Sequence, residues 1–388
     1  MEKTATIAFT GDIGFDRYFT GKWNDEQVLD DTIRSFLAGA DHVIANVEGA
    51  MLDYQGPNTK GIFMHTMDPG AQVFLNRIRA DIWNLNNNHT MDAGAEGLLS
   101  TIAAAKKNGA RPLGAGDNAA EAVRPFYLRE AGGIGLVTAG YQPQCVKASE
   151  TSPGVVSWDD FEHIEAAVRE IKNSARWCVL IVHGGEEFCN LPMPYIRDRY
   201  LRYLDMGVDI IVGHHPHVPQ NIERFESGQI IFYSLGNFIF DTDYQRVQFN
   251  TDRGVLLRLH FTEDRFSYDA LGLQLERGIE HLTAAPLPGI FAELTEADYQ
   301  ALLPLAAQAM LSAEQRRQIN MHPETYTDYT QAQWDEFFAD YLARSGEKSD
   351  MRRFRIISEI AARPAAEPCT PAGQAAADYI RRQLGELL

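Results

Sequence analysis

The sequence is poor in cysteine, and its four cysteines never form a Cys-x-x-Cys pair. A structural zinc site made of thiolates is therefore not expected, and neither is a disulfide framework. No apolar run approaches the roughly 18 residues that cross a membrane, and no basic segment leads into a short apolar stretch at the start. We therefore expect no transmembrane segment and no signal peptide, and a cytoplasmic location for the chain as it stands.

Positive charge is also scarce. The chain carries 35 Lys and Arg against 53 Asp and Glu, a formal net charge of −18. Binding of nucleic acid usually needs a basic surface, so we expect no nucleic-acid partner. Two catalytic motifs are missing as well: the Gly-x-Ser-x-Gly nucleophile elbow and the Gly-x-x-x-x-Gly-Lys-Ser/Thr phosphate loop. These absences disfavour the corresponding serine hydrolases and nucleotide hydrolases.

What the sequence does contain is a regular alternation of apolar, strand-like runs with helical patterns, from residue 5 to about residue 212. This alternation is typical of a layered α/β domain. A hairpin is predicted within residues 124–140. Helices are predicted at residues 25–37, 69–79, 90–108, 159–173 and 194–206.

Beyond residue 217 the pattern changes to antiparallel strands, which we expect to form a second sheet packed on the first. They are predicted at residues 221–225, 229–234, 253–261 and 266–275. A Pro-rich boundary follows near residue 285. We predict one domain over residues 1–285 and a helical C-terminal extension, a cap or interaction module, over residues 286–388. Its helices are predicted at residues 296–311, 331–344, 351–362 and 371–388.

The most informative segment is an apolar strand, residues 208–212, that is followed by three histidines within four residues, His214, His215 and His217. Pro216 stiffens the backbone and could aim the imidazoles of His215 and His217 at one point. A single buried histidine is more often structural, but three behind one strand predict a metal site. His214 faces away from its neighbours if the segment is extended, so its role is left open between ligand, support for a ligand and substrate contact.

Four other apolar runs end in groups that bind metals or move protons. In an open parallel sheet the carboxyl ends of the strands converge on one edge. One such residue is ordinary, because Asp and Asn favour turns, but the recurrence over five strands predicts a shared site. The residues at the other four ends are Asp12, then Asn46 and Glu48, then Asn88 and His89, and then His183 and Glu186.

Carboxylate, amide and imidazole groups suit one or two divalent transition-metal ions, Mn, Fe or Zn, with a position left open for water or substrate. The predicted ligands are Asp12, Glu48, Asn88, His183, His215 and His217. His89 is predicted to protonate a leaving group or steady an oxyanion, or else it is an ordinary histidine at a helix start. Arg17 either holds an anionic substrate group or forms a surface ion pair.

Four further residues are predicted to lie behind the ligands or against the substrate: Asn46, His214, Glu186 and Asn237. For Glu186 the alternative is a solvated loop acid, and for residues 234–238 it is a tight turn. A cysteine nucleophile fits less well, because Cys189 has only a weak spacing to His183. An amidohydrolase barrel is another metal-site alternative, but there the His-x-His pair usually closes the first strand.

Six motifs in order resemble the CapA family, bacterial poly-γ-glutamate capsule synthesis proteins that are related to calcineurin-like metallophosphoesterases. The resemblance covers about residues 5–260 and implies a four-layer α/β/β/α sandwich with a metal centre at the strand ends. The motifs are Gly11-Asp12 with Arg17, Asn46-Val47-Glu48, Asn87-Asn88-His89 with Asp92 and Gly94, His183-Gly184-Gly185-Glu186, residues 213–218 and residues 234–238.

The chain also departs from the metallophosphoesterase pattern. These enzymes typically open with Asp-x-His, whereas here Gly14 stands in the place of that histidine. Their second motif centres on aspartate, where this chain has Asn46 and Glu48. The number of metal ions is therefore left open at one or two.

The resemblance leads to two functional hypotheses. The first is a metal-dependent hydrolase of a phosphoester or a γ-glutamyl amide, with metal-activated water as nucleophile and His89 as acid. Its substrate would be a small molecule or a polyanionic polymer. The second is a non-catalytic accessory protein whose metal centre binds a polyanionic polymer or capsule synthetase subunits.

Overall fold

The structure is a computed structural model, which describes residues 4–53, 64–141, 145–344 and 349–384. The predicted last helix, residues 371–388, thus lies partly outside the described residues. The strands in chain order are β1 (Ala5–Ile13), β2 (His42–Val47), β3 (Ala50–Met51), β4 (Thr66–Met67), β5 (Ala80–Asn84), β6 (Arg111–Leu113), β7 (Ala115–Gly116), β8 (Phe126–Leu128), β9 (Ile134–Gly140), β10 (Gly154–Val155), β11 (Trp177–His183), β12 (Ile210–His214), β13 (Ile222–Arg224), β14 (Ile230–Phe232), β15 (Asn237–Ile239), β16 (Arg253–Phe261), β17 (Phe266–Glu276) and β18 (His281–Ala285).

The helices fall between the strands in the first part of the chain and follow one another at its end. They are α1 (Asp31–Ala38), α2 (Gln72–Arg77), α3 (Gly94–Lys107), α4 (Ala119–Ala122), α5 (Phe161–Ser174), α6 (Pro194–Asp205), α7 (Asp243–Arg246), α8 (Glu296–Met321), α9 (Pro323–Tyr326), α10 (Gln331–Arg344), α11 (Ser349–Ala361) and α12 (Pro371–Leu384). Short 3-10 turns occupy Arg17–Phe19, Lys22–Asn24, Glu26–Val28 and Pro69–Ala71.

Two large sheets form the centre of the fold. The first has the order β18-β17-β16-β1-β2-β5-β6, with β15 also paired to β1. The second has the order β13-β14-β12-β11-β9-β8. Strands β1, β2, β5 and β6 run parallel, and so do β9, β11, β12 and β14. In each sheet the central strands are therefore parallel, and their carboxyl ends lie at the same edge. Binding sites of parallel sheets form at this edge.

The sheets pack face to face through alternate residues of their strands. Ile7 and Phe9 of β1 meet Val179 and Ile181 of β11 in the core between the sheets. Side chains of a strand alternate between its two faces, so the intervening residues, such as Leu180, face the outer helices. Burial of each of these large side chains contributes about 1.5–3 kcal/mol.

Helices cover both outer faces. Helices α1, α2 and α3 pack on the first sheet through residues that include Ile33, Phe74 and Leu98. Helices α5 and α6 pack on the second sheet through residues that include Val168 and Tyr200. The predicted four-layer α/β/β/α sandwich is therefore confirmed.

The C-terminal helices belong to the outer layer on the second sheet. Leu302 of α8, Ile357 of α11 and Ile380 of α12 are buried in the same core as Val182 of β11. The predicted helical character of this region is confirmed, and α8 runs ten residues beyond the predicted end at residue 311. A division at residue 285 into two domains stays a prediction.

The assignment of the later strands to a separate second sheet was wrong in part, because β13 and β14 lie in the second sheet but β16 and β17 do not. Strand β16 pairs antiparallel with β1, so β16, β17 and β18 complete the first sheet, and the second is built mainly from β9, β11, β12 and β14. The predicted hairpin is present as β8–β9, and the strands predicted as antiparallel pair as β13–β14 and β16–β17. Periodicity identifies a strand and its buried face, but not the sheet that the strand joins.

The helix predicted from residue 90 starts four residues later, and this shift matters for the site. Residues 89–93 form turns in which Asp92 N donates to His89 O at 3.0 Å and Gly94 N to Met91 O at 2.9 Å. Gly94 then enters α3 with a left-handed φ of 66°, a conformation that glycine adopts at little cost. Asn88 and His89 therefore lie in a loop at the strand end.

Candidate metal centre

The predicted site residues converge where the parallel strands of both sheets end. Asp12 of β1 is in register with Asn46 of β2 in the first sheet. His183 of β11 is in register with His214 of β12 in the second sheet. Glu48 follows β2 directly, and its backbone N–H donates to the Ile13 carbonyl at 2.8 Å. The site therefore lies between the two sheets at their common carboxyl edge.

Two groups of buried side chains with metal-binding atoms share Glu48. In the first, Glu48, His183 and His215 offer atoms that lie within 4.8 Å of one another, and in the second Asp12, Glu48 and His217 do the same. Glu48 Oε1 lies 3.5 Å from His183 Nε2 and 3.8 Å from His217 Nε2. The Glu48 carboxylate thus lies between two groups of atoms, each of which could hold a metal ion.

Glu48 has no hydrogen-bond partner for either carboxylate oxygen among the described residues, although both oxygens are buried. Burial alone would raise the pKa of Glu48, but the charges of His217 and His183 outweigh it and hold that pKa well below its ordinary value. The buried Glu48 carboxylate thus owes its stabilisation to the positive charge of neighbouring imidazoles rather than to close hydrogen-bond donors, and a bound metal cation can supply the same compensation. His215 Nδ1 is likewise buried without a partner among the described residues.

Backbone geometry explains how His215 and His217 both reach the centre. Their φ angles are 95° and 57°, a left-handed region that costs side-chain-bearing residues about 1–3 kcal/mol each and is found mostly at functional sites. Pro216 separates them, and their ring centroids lie 6.0 Å apart. The structure thus brings both imidazoles to the site, one in each of the groups that contain Glu48.

His217 is fixed by Asn237 and Asp12. Its Nδ1 lies 3.0 Å from Asn237 Oδ1 and 3.2 Å from Asp12 Oδ2. Burial alone would lower the pKa of His217, but Glu48 and Asp12 raise it to about 10. Asn237 reaches this place because Gly236, with φ of 67°, turns its carbonyl to accept from Asp12 N at 3.1 Å. Asn237 therefore holds the His217 ring in place, and its predicted role behind a metal ligand stays a prediction.

An asparagine network orients His183. Asn46 Nδ2 donates to Asp12 Oδ1 at 2.7 Å and lies 3.3 Å from His183 Nδ1. His183 Nε2 lies 2.8 Å from Asn88 Oδ1, which places the Asn88 amide in the centre. Asn84, the last residue of β5, donates to Asn46 Oδ1 at 2.7 Å. Asn84 was not among the predicted residues, although it also stands at a strand end.

His214 lies apart from both groups that contain Glu48. Its Nε2 is 2.9 Å from the Thr10 carbonyl of the opposite sheet, and burial lowers its pKa. A neutral His214 can donate to that carbonyl from Nε2. The residue therefore joins the two sheets beneath the centre.

His89 forms the first of two neighbouring histidine–aspartate pairs. Its Nδ1 lies 2.6 Å from Asp92 Oδ2, and His65 Nδ1 lies 2.6 Å from Asp16 Oδ2. The two imidazole centroids are 4.3 Å apart. Burial and then the charge of His65 lower the pKa of His89, whereas in His65 the Asp16 charge outweighs burial and raises the pKa.

The second pair was not predicted, because no spacing in the sequence distinguishes His65 from the other histidines. Asp16 lies directly before Arg17, which is exposed and has a left-handed φ of 51°. Arg17 therefore stands on the surface one residue from the His65–Asp16 pair.

The two glutamates after His183 have different environments. Glu186 Oε1 accepts from Tyr195 Oη at 2.7 Å and from Arg353 Nη1 at 3.1 Å. Glu187, which was not among the predicted ligands, forms a third group of metal-binding atoms with His215 and His217. Sequence spacing could not assign different roles to these adjacent glutamates, whereas the loop geometry distinguishes them.

Comparison with known proteins identifies the family. The family model of the bacterial capsule synthesis protein PGA_cap matches residues 6–242. The chain belongs to the PGA_cap family. The matched residues contain Asp12, Glu48, Asn88 and all of the site histidines named above, and they end before the C-terminal helices begin. The predicted resemblance to CapA proteins is thereby confirmed.

Individual relatives of this PGA_cap protein carry names from polymer synthesis. It is 30% identical to a capsule biosynthesis protein CapA of Bacillus anthracis over 70% of this chain and 68% of that protein. It is 31% identical to a PGA biosynthesis protein CapA of Bacillus subtilis over 63% of this chain and 65% of that protein. A probable polyglutamine synthesis accessory protein of Mycobacterium tuberculosis is 26% identical over 46% of this chain and 50% of that protein. The chain thus spans about two thirds of the Bacillus proteins.

The described part of this family member includes no helix long and apolar enough to span a bilayer.

Packing around Gly14 explains why this PGA_cap protein has no histidine there. A Cβ atom at Gly14 would lie 2.8 Å from the Phe240 ring and 3.3 Å from the Glu48 carbonyl oxygen. Phe240 stacks on His217 with ring centroids 4.8 Å apart. The aromatic ring occupies the space into which a side chain at position 14 would extend.

Gly14→Ala should therefore destabilise the protein, by about 1–3 kcal/mol as for other overpacked core sites. Chemical denaturation of the metal-free protein measures the change. In the double variant Gly14→Ala/Phe240→Leu the smaller side chain should relieve the contact, so the two substitutions should be less than additive. Full additivity, or unchanged stability of Gly14→Ala, would contradict this packing.

Proposed function

We propose that this protein is a hydrolase whose centre holds two divalent transition-metal ions that share Glu48. The observation that carries the proposal is the buried Glu48 carboxylate, without hydrogen-bond donors among the described residues and facing imidazoles of both groups. One ion would be held by Asp12, Glu48 and His217, and the other by Glu48, Asn88, His183 and His215. Nitrogen and oxygen donors of this kind suit Mn, Fe or Zn.

The residues present fit such ions. The orphaned Glu48 oxygens and the orphaned His215 Nδ1 need a partner that is not a hydrogen-bond donor of the protein. Bound ions would supply Lewis-acid polarisation of the substrate and activation of water. Asn46 and Asn237 keep His183 and His217 in place by hydrogen bonds, as supports of metal ligands commonly do.

His89 is the residue that would move a proton. Asp92 binds its Nδ1 at 2.6 Å and thereby fixes the ring orientation, which leaves Nε2 as the nitrogen that exchanges a proton. Burial lowers the pKa of His89, so the protonated ring is a comparatively strong acid. Protonation of the leaving group is the step that this property favours.

For the substrate, family membership favours a γ-glutamyl amide in a capsule polymer or its precursor, and the metal-site chemistry also suits a phosphoester. A net charge of −18 repels polyanions at a distance. Bound cations at the strand ends would offset this repulsion locally. Such a substrate would therefore be recognised at the metal centre rather than over a broad surface.

The second candidate is an accessory protein without turnover, which would bind the polymer or a synthetase partner through the same centre. The name of the Mycobacterium tuberculosis relative, a probable polyglutamine synthesis accessory protein, favours it.

A substrate screen separates the two candidates. Protein reconstituted with Mn, Fe or Zn is assayed on aryl phosphomonoesters and diesters and on γ-glutamyl peptides, with metal-free protein as the control. Turnover that depends on metal supports the hydrolase. Absence of turnover on every substrate, in protein whose metal content is verified, would overturn it in favour of the accessory function.

A further inference from the structure

A cavity of about 250 Å³ opens beside the candidate metal centre. Residues of the site loops form one wall, among them His215 and Glu187, which belong to the metal-binding groups. A water molecule occupies about 30 Å³ in the liquid, so this space holds on the order of eight non-hydrogen atoms. It therefore suits one compact unit of a substrate that extends from the centre.

The opposite wall comes from the C-terminal helices. Helix α8 contributes Glu314 and Arg317, and helix α11 contributes Arg353 and Phe354. All four residues lie beyond residue 242, where the match to the family model ends. The cavity thus combines residues of the family-matched part with side chains from the C-terminal helices beyond it.

Arg353 is a cation of this wall that touches the site loop. Its Nη1 donates to Glu186 Oε1 at 3.1 Å, and its guanidinium carbon lies 5.2 Å from the centroid of the Tyr141 ring. The Arg353 side chain is 23% exposed, against 11% for Glu186. A partly exposed guanidinium over an aromatic ring is well placed to bind an oxyanion from the cavity side.

The remaining charges of the cavity are paired within its walls. Arg317 donates to Glu314 at 3.3 Å, and Tyr244 donates to Glu187 at 3.4 Å. Three carboxylates and two guanidinium groups line the cavity, which gives it a formal charge of −1. Two divalent ions held by the Asp12 and Glu48 carboxylates would bring the formal charge of cavity and centre together to +1, and an anionic group would then be favoured.

We propose that this cavity is a subsite for an anionic group of the substrate, and that Arg353 is the specificity-determining residue that binds it. The inference rests on the proposed metal-dependent hydrolase for its place in a reaction. Glu186 holds Arg353 in position while the cavity is empty and competes with the incoming anion. The shared chemistry of that anion is a carboxylate or a phosphate, since the guanidinium fork binds both.

The test is calorimetric titration with two probes, glutarate and inorganic phosphate, on metal-loaded and metal-free protein. Arg353→Gln should weaken binding of at least one probe about tenfold or more, as the loss of a charge-assisted hydrogen bond does. Weaker binding of glutarate alone assigns a carboxylate, and weaker binding of phosphate alone assigns a phosphate. Arg355→Gln is the matched control, because Arg355 is an exposed arginine of the same helix, and it should leave both affinities unchanged.

Glu186→Gln provides a result that a purely structural role would not produce. Because the competing carboxylate is removed, the affinity for the probe should rise several-fold, while Arg353→Lys should retain part of the wild-type affinity. Equal affinities of wild type and Arg353→Gln for both probes would overturn the inference.

Failure of the proposed function would look different. If the wild type binds no metal, the titration of metal-free protein still measures the Arg353 contact by itself. A matching fall in affinity there supports the subsite without the metal centre, and no fall overturns it.

Discussion

Replacing His89 with asparagine should lower kcat by roughly 10²- to 10⁴-fold, the usual contribution of a general acid, and leave the metal content unchanged. Among the described residues, His89 belongs to none of the three groups of metal-binding atoms, and its Nδ1 is held by Asp92. Asparagine keeps a polar side chain in the pocket but cannot transfer the proton. Steady-state kinetics on a substrate found by the screen, with elemental analysis of the same samples, measure both effects.

His163→Asn is a closely matched control. His163 Nδ1 lies 2.7 Å from Asp160 Oδ1, with the same three-residue spacing as the His89–Asp92 pair, but the side chain is 55% exposed on α5. Its replacement should leave kcat within about threefold of the wild type, as expected for a residue outside general acid–base chemistry. If His89→Asn behaves like this control, His89 is not the proton donor.

Replacing Glu48 with glutamine should remove the stabilisation that metal ions give to the protein. A ligand at one hundred times its Kd stabilises the folded state by about 2.7 kcal/mol per site. Glu48 belongs to both proposed ion positions, and glutamine has nearly its shape without its charge. The Tm of the wild type should therefore rise by several degrees when metal is added, while the Tm of Glu48→Gln should rise little.

Glu314→Gln serves as the control for charge removal. Glu314 is a glutamate that Gln318 and Arg317 hold by hydrogen bonds, and it belongs to none of the metal-binding groups of the described residues. This variant should keep the full metal-dependent rise in Tm. An equal rise in wild type and Glu48→Gln would show that the ions bind elsewhere.

Much of the centre could be predicted because its residues follow strands. Apolar runs locate the strands, and parallel strands deliver their carboxyl ends to one edge, so Asp12, Glu48, Asn88, His183 and the histidine cluster could be grouped before any coordinates. These residues come together in the structure because the carboxyl edges of the two sheets lie side by side.

The unpredicted residues depend on contacts between segments that are distant in sequence. His65 reaches the site through its backbone hydrogen bond to Asp92 and its ring bond to Asp16. Phe240 fills the space beside Gly14 from a segment more than 200 residues away. Arg353 comes from a helix outside the family match. Neither hydrophobic periodicity nor motif spacing predicts such contacts, because they arise only from tertiary packing.

The assignment of strands to sheets failed for a related reason. β16 has the alternating pattern of any strand with one buried face, and only its hydrogen bonds to β1 place it in the first sheet. The chain joins the first sheet again at β16, after it has formed the strands of the second sheet. β16 must therefore pair with β1, a strand that is distant in sequence. The periodicity of the strand does not encode its partner.

Anomalous diffraction from crystals of the wild-type protein grown with manganese is the direct test of the proposed two-metal centre at Glu48. We expect two anomalous peaks, one among Asp12, Glu48 and His217 and the other among Glu48, Asn88, His183 and His215, with the Glu48 carboxylate between them. A well-ordered site with no anomalous peak, or manganese bound only at other positions, would contradict it.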